Sequence, residues 1–427
     1  MELFLVKIVA LFRPIASAQN VLGSAAPDLL AIGLFLVMVG VFAVNSALRK
    51  SLIITSIDMI IMAMVVWCIS IYAIYFEVTK IKEVAKLLIP LLSYMVTKNI
   101  LRKPEDYKGM LFWMIAGFSV TSILSAGMIL AGKGVAGQNY WTGVVRWEGV
   151  YPVPHDLGHA MAFFLVVIVI YISIERLALP AGKTFTLGKK TILAVLAGIA
   201  TYCLYKSEVR SALLGLLTFL AIYLYSFNRR LLFIGGGAIA VIAITTFPIW
   251  KPVLLPDVVQ IETPGQQFGA LDIGSGRPRF WLHNLRLFAA LPIDQKLAGV
   301  GIGNKAKHMY LSTEKALESH NDWLDLLIQT GIVGLALMAI LQGLILRAIL
   351  NLRDPEKHIF LGIFIATNIM MFVSNSYLYR LAVSQTYYMV LAYIEARPRF
   401  KTDDRVVSSL HPGVSPNARL DVRPFSQ

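Results

Sequence analysis

The sequence predicts an all-α, polytopic membrane protein, and three observations carry that prediction. Of 427 residues, 57% are hydrophobic and only 15% are charged. The charges fall between long uncharged runs, which match the roughly 20 apolar residues that a bilayer core demands. Basic residues crowd alternate connections, the pattern that orients membrane helices. The net charge of +14 is therefore mainly topology, and with no soluble basic domain no nucleic-acid partner is expected. Cys68 and Cys203 both lie inside apolar runs, so they read as packing residues rather than as a disulfide or a metal cluster.

Taken in order, Met1–Ala18 is apolar but carries Lys7 and Arg13 ahead of Pro14. It reads as an interfacial helix or a short first span, and Ala16-Ser17-Ala18 is a weak cleavage signal. Spans are predicted at Asp28–Leu48, Ser51–Phe76, Val84–Val96, Met110–Ala131, Leu157–Ile174 and Thr191–Leu204. Further spans fall at Ser211–Tyr225, Leu231–Phe247, the run opened by His320, Ile359–Val373 and Leu381–Tyr393. Eleven spans result, or twelve with the N-terminus, in a single membrane domain over residues 1–427.

One set of connections holds Arg49 and Lys50, then Lys98, Arg102, Lys103 and Lys108, then Arg176, Lys183, Lys189 and Lys190. It continues with Arg229 and Arg230, with Arg347, Arg353 and Lys357, and with Arg397, Arg399, Lys401 and Arg405. That side is assigned to the cytoplasm. The polar stretch 397–427 becomes a flexible cytoplasmic tail. The opposite side carries the loop 248–319, roughly seventy residues, and a loop of that length between spans usually has a function. Within it Phe280, Leu285 and Phe288 recur at helical spacing, which predicts a helix over Arg279–Leu291 lying on the membrane surface.

The chain is organised around Ser319-His320-Asn321-Asp322, which runs into an uncharged stretch from Leu326 to Leu346. Ser319 followed by Asp322 has the spacing of a capping box, which predicts a helix beginning at His320. Eleven residues separate His320 from Gly331, so the two would share a helix face, about 16 Å apart along the axis. Gly331 and Gly334 would form a notch where a neighbouring helix approaches closely.

Three arginine-bearing segments are predicted on the same side as His320. Arg210 opens a span after the turn Lys206-Ser207-Glu208-Val209, and Arg277 follows Gly274-Ser275-Gly276 with Arg279 beside it. Arginine's fixed, permanently charged fork suits phosphate oxygens. A helix N-terminus at His320 would add oriented N–H groups for phosphate and would disfavour imidazolium, leaving a neutral histidine able to accept a proton. Each feature has a structural reading: headgroup anchors for the arginines, a solvated cap for the histidine, helix packing for the glycines. Their coincidence favours a site for a phosphate-bearing ligand.

His320-Asn321 followed nine residues later by Gly331-Ile332-Val333-Gly334 resembles the signature of bacterial O-antigen ligases and the related O-antigen and exopolysaccharide polymerases. Ser275-Gly276-Arg277 with Trp281, and then Ala298-Gly299-Val300-Gly301-Ile302-Gly303, resemble that family's arginine–tryptophan segment and its glycine-rich stretch. Ser207-Glu208-Val209-Arg210 is a longer form of its Ser-Arg at the start of a span. Arg146 with Gly149 and Pro154 is similar to another family segment, with His155 where the family has Asn. The resemblance implies an inner-membrane glycosyltransferase with its site facing the periplasm. Its donor would be a glycan on undecaprenyl pyrophosphate, and its acceptor lipid A–core in a ligase or a second lipid-linked oligosaccharide in a polymerase. By that likeness His320 is the catalytic base, and Arg210, Arg277 and Arg279 bind pyrophosphate. Arg146, Trp281, Asn321, Gly331 and Gly334 complete the motif. No cofactor is implied: arginines on the leaving group make a divalent metal unnecessary, and no Asp-x-Asp motif stands on the outer side.

Two other classes have a footing in the sequence. His155-Asp156-Leu157-Gly158-His159 places two imidazoles one turn apart, as zinc ligands in a protease would be, but it lacks a third ligand. A transporter of lipid-linked sugars would also expose arginines, but should carry ionisable residues near the bilayer midplane. Only Asp58 and Lys86 stand out inside spans.

Overall fold

The computed structural model describes residues 1–23, 26–49, 52–138, 145–178, 186–227, 277–305, 319–374, 378 and 380–400. These are helical almost throughout. The helices are α1 (Glu2–Ala16), α2 (Gln19–Leu22), α3 (Ala26–Arg49), α4 (Ser56–Ile74), α5 (Ile81–Ile100), α6 (Pro104–Leu130), α7 (Pro154–Ala178), α8 (Leu187–Ser207) and α9 (Arg210–Phe227). They continue with α10 (Arg277–Ala290), α11 (Ile293–Ala298), α12 (Asp322–Leu350), α13 (Glu356–Val373) and α14 (Leu381–Leu391). The exception is an antiparallel pair between α6 and α7, β1 (Val135–Gln138) and β2 (Val145–Trp147), in which Gly137 stands opposite Arg146.

Seven helices among the described residues are long and apolar enough to cross a membrane: α3, α4, α6, α7, α8, α12 and α13. They coincide with seven of the eleven predicted spans. The predicted span Leu231–Phe247 lies outside the described residues. The other three are helices α5, α9 and α14 that fall short for identifiable reasons. Helix α5 carries Lys82, Glu83, Lys86 and Lys98, α9 is a shorter apolar helix, and α14 extends over only 11 residues before a turn leads into a helical stretch at 393–400.

Helix α1 lies against the bundle. Its 15 residues cover about 22 Å at 1.5 Å per residue. It packs on α6 so closely that a Cβ on Gly117 would lie 2.3 Å from the Leu11 carbonyl oxygen. Val6, Val9 and Ala10 are buried there, and Arg13 is buried with them.

Ion pairs gather at one end of the bundle. Lys98, at the end of α5, meets Asp58, at the start of α4, and Glu395, with both Asp58 and Lys98 almost fully buried. Asp58 also completes a capping box with Thr55. Glu175 binds Lys189 and Lys108, and Glu356 binds Arg397. Asp58 is thus a helix-end residue with a partner, and Lys86 pairs with Glu83 one turn away. Neither is a lone midplane charge of the kind a transporter would use. The expected tail 397–427 lies outside the described residues from 401 onward, and its first residues continue the 393–400 helix.

Candidate functional site

At the opposite end of the bundle the start of α12 differs from the prediction. The helix begins at Asp322, and the N-cap is Asn321, whose side-chain oxygen accepts from the N–H groups of Trp323 at 3.0 Å and Leu324 at 3.1 Å. The predicted Ser319–Asp322 capping box does not form. The Ser319 hydroxyl instead accepts from the Asn321 N–H at 3.1 Å and donates to the Asp325 carboxylate, which is also paired with Lys305. The Asp322 carboxylate accepts from the Leu378 N–H at 2.6 Å, tying α12 to the connection between α13 and α14. His320 therefore stands outside the helix, in the left-handed region with φ 51°. An L-residue adopts that conformation only where its surroundings impose it.

Gly331 does not share a helix face with His320, because α12 is broken there. Gly331 has φ 70° and ψ −173°, a conformation open essentially to glycine alone. The break releases carbonyls from the helix, and buried carbonyls need partners. Ile328 O accepts from the Val300 N–H at 2.9 Å, Gln329 O from the Gly301 N–H at 3.3 Å, and Thr330 O from the Trp67 indole at 3.0 Å. The Gln329 side chain accepts from the Gly303 N–H at 2.7 Å. The glycine-rich stretch 299–303 thus docks on the kink. A Cβ on Gly331 would lie 2.1 Å from Leu297 O, so the notch is filled by the end of α11 rather than by a spanning helix. A Cβ on Gly334 would lie 3.3 Å from the Trp67 indole nitrogen, and here α4 does approach closely, as the sequence predicted.

Arg277 is the first residue of α10. Its Nη1 donates to the Val373 carbonyl at the end of α13. Trp281, one turn on, meets the Phe372 ring edge-on at a centroid distance of 5.0 Å. The helix predicted over Arg279–Leu291 is therefore present, anchored to the end of α13. The backbone at Arg279 belongs to this helix, while Ser275 and Gly276 lie outside the described residues.

Arg146 stands in β2 and donates from Nε to the Ser207 carbonyl at 3.4 Å. Burial and Arg210 both lower its pKa, against the opposing pull of Glu208. The turn between α8 and α9 is sharp, with Glu208 at φ 55°. A Cβ on Gly158 would run into Val209, so α7 packs directly on this turn. Burial, and then Arg210, lower the pKa of Arg277. Arg146, Arg210 and Arg277 thus form one cationic group.

His320 joins that group. Burial first, then Arg277 and Lys305, push its imidazole down to about 4, against the pull of Asp325. The neutral form is favoured, as the sequence predicted, but the cause is desolvation and nearby cations rather than a helix beginning at His320.

Four residues outside the predicted site also converge here. His155 stands in the first turn of α7, within electrostatic reach of Arg146, Arg380 and His320. Its neighbour Asp156 pairs with Arg380 at the start of α14. Burial lowers Arg380 to about 10, which leaves it charged at neutral pH. His159 is fully buried one turn further, its ring 6.3 Å from that of His155. Its Nε2 lies 3.2 Å from the Ser211 hydroxyl and 3.1 Å from that of Ser374. Among the described residues no group of three His, Cys, Asp or Glu could hold a metal. The signal for these residues was the His155-x3-His159 spacing, which puts both imidazoles on one face of α7. Arg380 gave no local signal.

A polytopic helical membrane protein with arginines and a neutral histidine gathered at one end of its bundle is the class that fold and site define. Residues 193–339 match the model of a family described as O-antigen ligase, which supports the assignment of this chain to the O-antigen ligase superfamily. The match takes in Arg210, Arg277, Trp281, His320 and the Gly331 kink. It leaves out Arg146, the His155–His159 pair and Arg380. No curated protein matches the chain.

Proposed function

We propose that the protein is a metal-independent glycosyltransferase of the bacterial inner membrane, acting on its periplasmic face. It transfers a glycan from undecaprenyl pyrophosphate to a sugar hydroxyl, most specifically as an O-antigen ligase acting on lipid A–core in lipopolysaccharide biosynthesis. The observation that carries the reading is the electrostatic coupling of His320 to Arg277, of Arg277 to Arg210 and of Arg210 to Arg146 at one end of the bundle. Arg277 and Arg210 hold the pyrophosphate, and Arg279 in the same helical turn as Arg277 contributes to that grip.

In the reaction, His320 takes the proton of the acceptor hydroxyl as its oxygen bonds to the anomeric carbon. The bond from that carbon to the pyrophosphate oxygen breaks, and its electron pair leaves on the pyrophosphate. The arginines stabilise the charge growing there. General-base catalysis of this kind contributes about 10²–10⁴-fold. The imidazole is a weak base in its desolvated site beside the Arg277 and Lys305 cations, of which only Lys305 is paired with a carboxylate, that of Asp325. A bound pyrophosphate offsets their field and raises its basicity when the donor is in place. A single direct attack inverts the anomeric centre, and retention in the product linkage would exclude it.

The test is transfer by the purified full chain from undecaprenyl-pyrophosphate-linked glycan to two competing acceptors, lipid A–core and a second lipid-linked repeat. Product on lipid A–core establishes the ligase. Growth of the lipid-linked glycan makes the protein a polymerase, and no product with either acceptor refutes the glycosyltransferase reading.

A further inference from the structure

We infer that His159 is a positioning residue that ties together the two segments presenting Arg210 and Arg277 to the donor. The inference rests on the pyrophosphate reading above and adds a residue that the family match does not reach.

Helices α9 and α13 run antiparallel in close contact. A Cβ on Gly215 of α9 would meet Met370 at 2.6 Å, and one on Gly362 of α13 would meet Phe219 at 3.1 Å. In that register the start of α9 lies opposite the end of α13. Ser211 follows Arg210 at the start of α9, and Ser374 follows Val373, whose carbonyl holds the Arg277 guanidinium. The His159 ring, fully buried, stands between the two serines with Nε2 within 3.2 Å of each hydroxyl. A ring nitrogen so placed either accepts from both hydroxyls or donates to one of them. Both arrangements fix the serines against a common point. Arg210 is thus one residue, Ser211, from the imidazole, and Arg277 is one hydrogen bond and two residues, Val373 and Ser374, from the same ring. Apolar packing would hold the helices together without it. What the bridge adds is the register of Arg210 relative to Arg277, on which two-point recognition of a pyrophosphate depends.

The test is binding of undecaprenyl pyrophosphate to the detergent-purified full chain, together with donor and acceptor KM in the transfer assay. His159→Ala is expected to weaken undecaprenyl pyrophosphate binding and raise donor KM about tenfold, since small misplacements of positioning groups have effects of that order or larger. Acceptor KM is expected to stay within about twofold of wild type, as a change confined to the donor clamp requires. His159→Gln keeps a hydrogen-bonding group near the Nε2 position and is expected to restore affinity to within about threefold of wild type. Ser374→Ala, a smaller change, is expected to reproduce part of the His159→Ala defect and to add nothing to it in the double variant.

Undiminished undecaprenyl pyrophosphate binding by His159→Ala would overturn the inference. So would a Gln variant no better than Ala, or equal changes in donor and acceptor KM. If His159→Ala does not fold, the Gln and Ser374→Ala variants carry the same test. Wild type that binds undecaprenyl pyrophosphate yet transfers no glycan would refute the proposed reaction while leaving the clamp to be judged by binding alone.

Discussion

Replacing Gly331 by alanine tests whether the kink in α12 is built from the contacts described above. A Cβ at this position would lie 2.1 Å from Leu297 O, 2.4 Å from Leu297 C and 2.6 Å from Gly299 N. All are backbone atoms, so no side chain can rotate away, and residues 297–299 must retreat by about 1 Å to reach ordinary contact. That movement draws Val300 and Gly301 off the Ile328 and Gln329 carbonyls. Two hydrogen bonds at about 1 kcal/mol each, with about 1–3 kcal/mol for a non-glycine residue in this backbone region, give a destabilisation of about 3–5 kcal/mol. Reversible unfolding in mixed micelles by denaturing detergent measures it. Gly343→Ala is the control, since its Cβ meets nothing within 4 Å on the same helix. It is expected to be neutral or slightly stabilising, as alanine in an exposed helix interior is. Stability of Gly331→Ala within about 0.5 kcal/mol of wild type, the range of an unremarkable surface change, would refute the docking of the glycine-rich stretch on the kink.

Three further outcomes follow from the same geometry. His320 is held at about 4 in the fold against about 6.5 unfolded, so its neutral form is the one the fold favours. Its contribution to stability is full above pH 6.5 and is lost as pH falls towards 4. The acid limb of kcat/KM is accordingly expected well below pH 6.5, with that of kcat at higher pH once bound pyrophosphate offsets Arg277. Asp156→Ala leaves Arg380 buried without its carboxylate; a loss of about 3 kcal/mol is expected, and Asp156→Ala/Arg380→Met is expected to recover part of it in a double-mutant cycle. Lys98→Met leaves Asp58 and Glu395 facing each other in the buried end of the bundle. It is expected to destabilise by about 3–5 kcal/mol in the same unfolding assay, with donor KM unchanged because this cluster lies at the end away from His320.

The sequence was most legible where a local rule acts on neighbouring residues. Uncharged runs located the seven spanning helices, and His320-Asn321 with Gly331 marked the kinked helix. The details failed where two local rules compete. Ser319 and Asn321 are both good N-caps, and Asn321 takes that place because Ser319 is engaged with Asp325 and Asp322 with Leu378. Gly331 reads as a packing glycine or as a helix break with equal ease, and only the docking of 299–303 decides. Arg380 gave no signal, and the tie from His159 to Ser374 was not legible, because the partners lie 224 and 215 positions apart, at Asp156 and Ser374. The β1–β2 pair escaped notice because strands of four and three residues are shorter than a hydropathy pattern can register.

In the proposed reaction His320 is the base of a transfer driven by arginine-held pyrophosphate. Single-turnover transfer by wild type and His320→Ala, at neutral pH with saturating lipid-linked donor and acceptor, tests it most directly. The rate is expected to fall by about 10²–10⁴-fold with undecaprenyl pyrophosphate binding retained, because Arg277 and Arg210 remain in place. A variant that transfers glycan at the wild-type rate would contradict it.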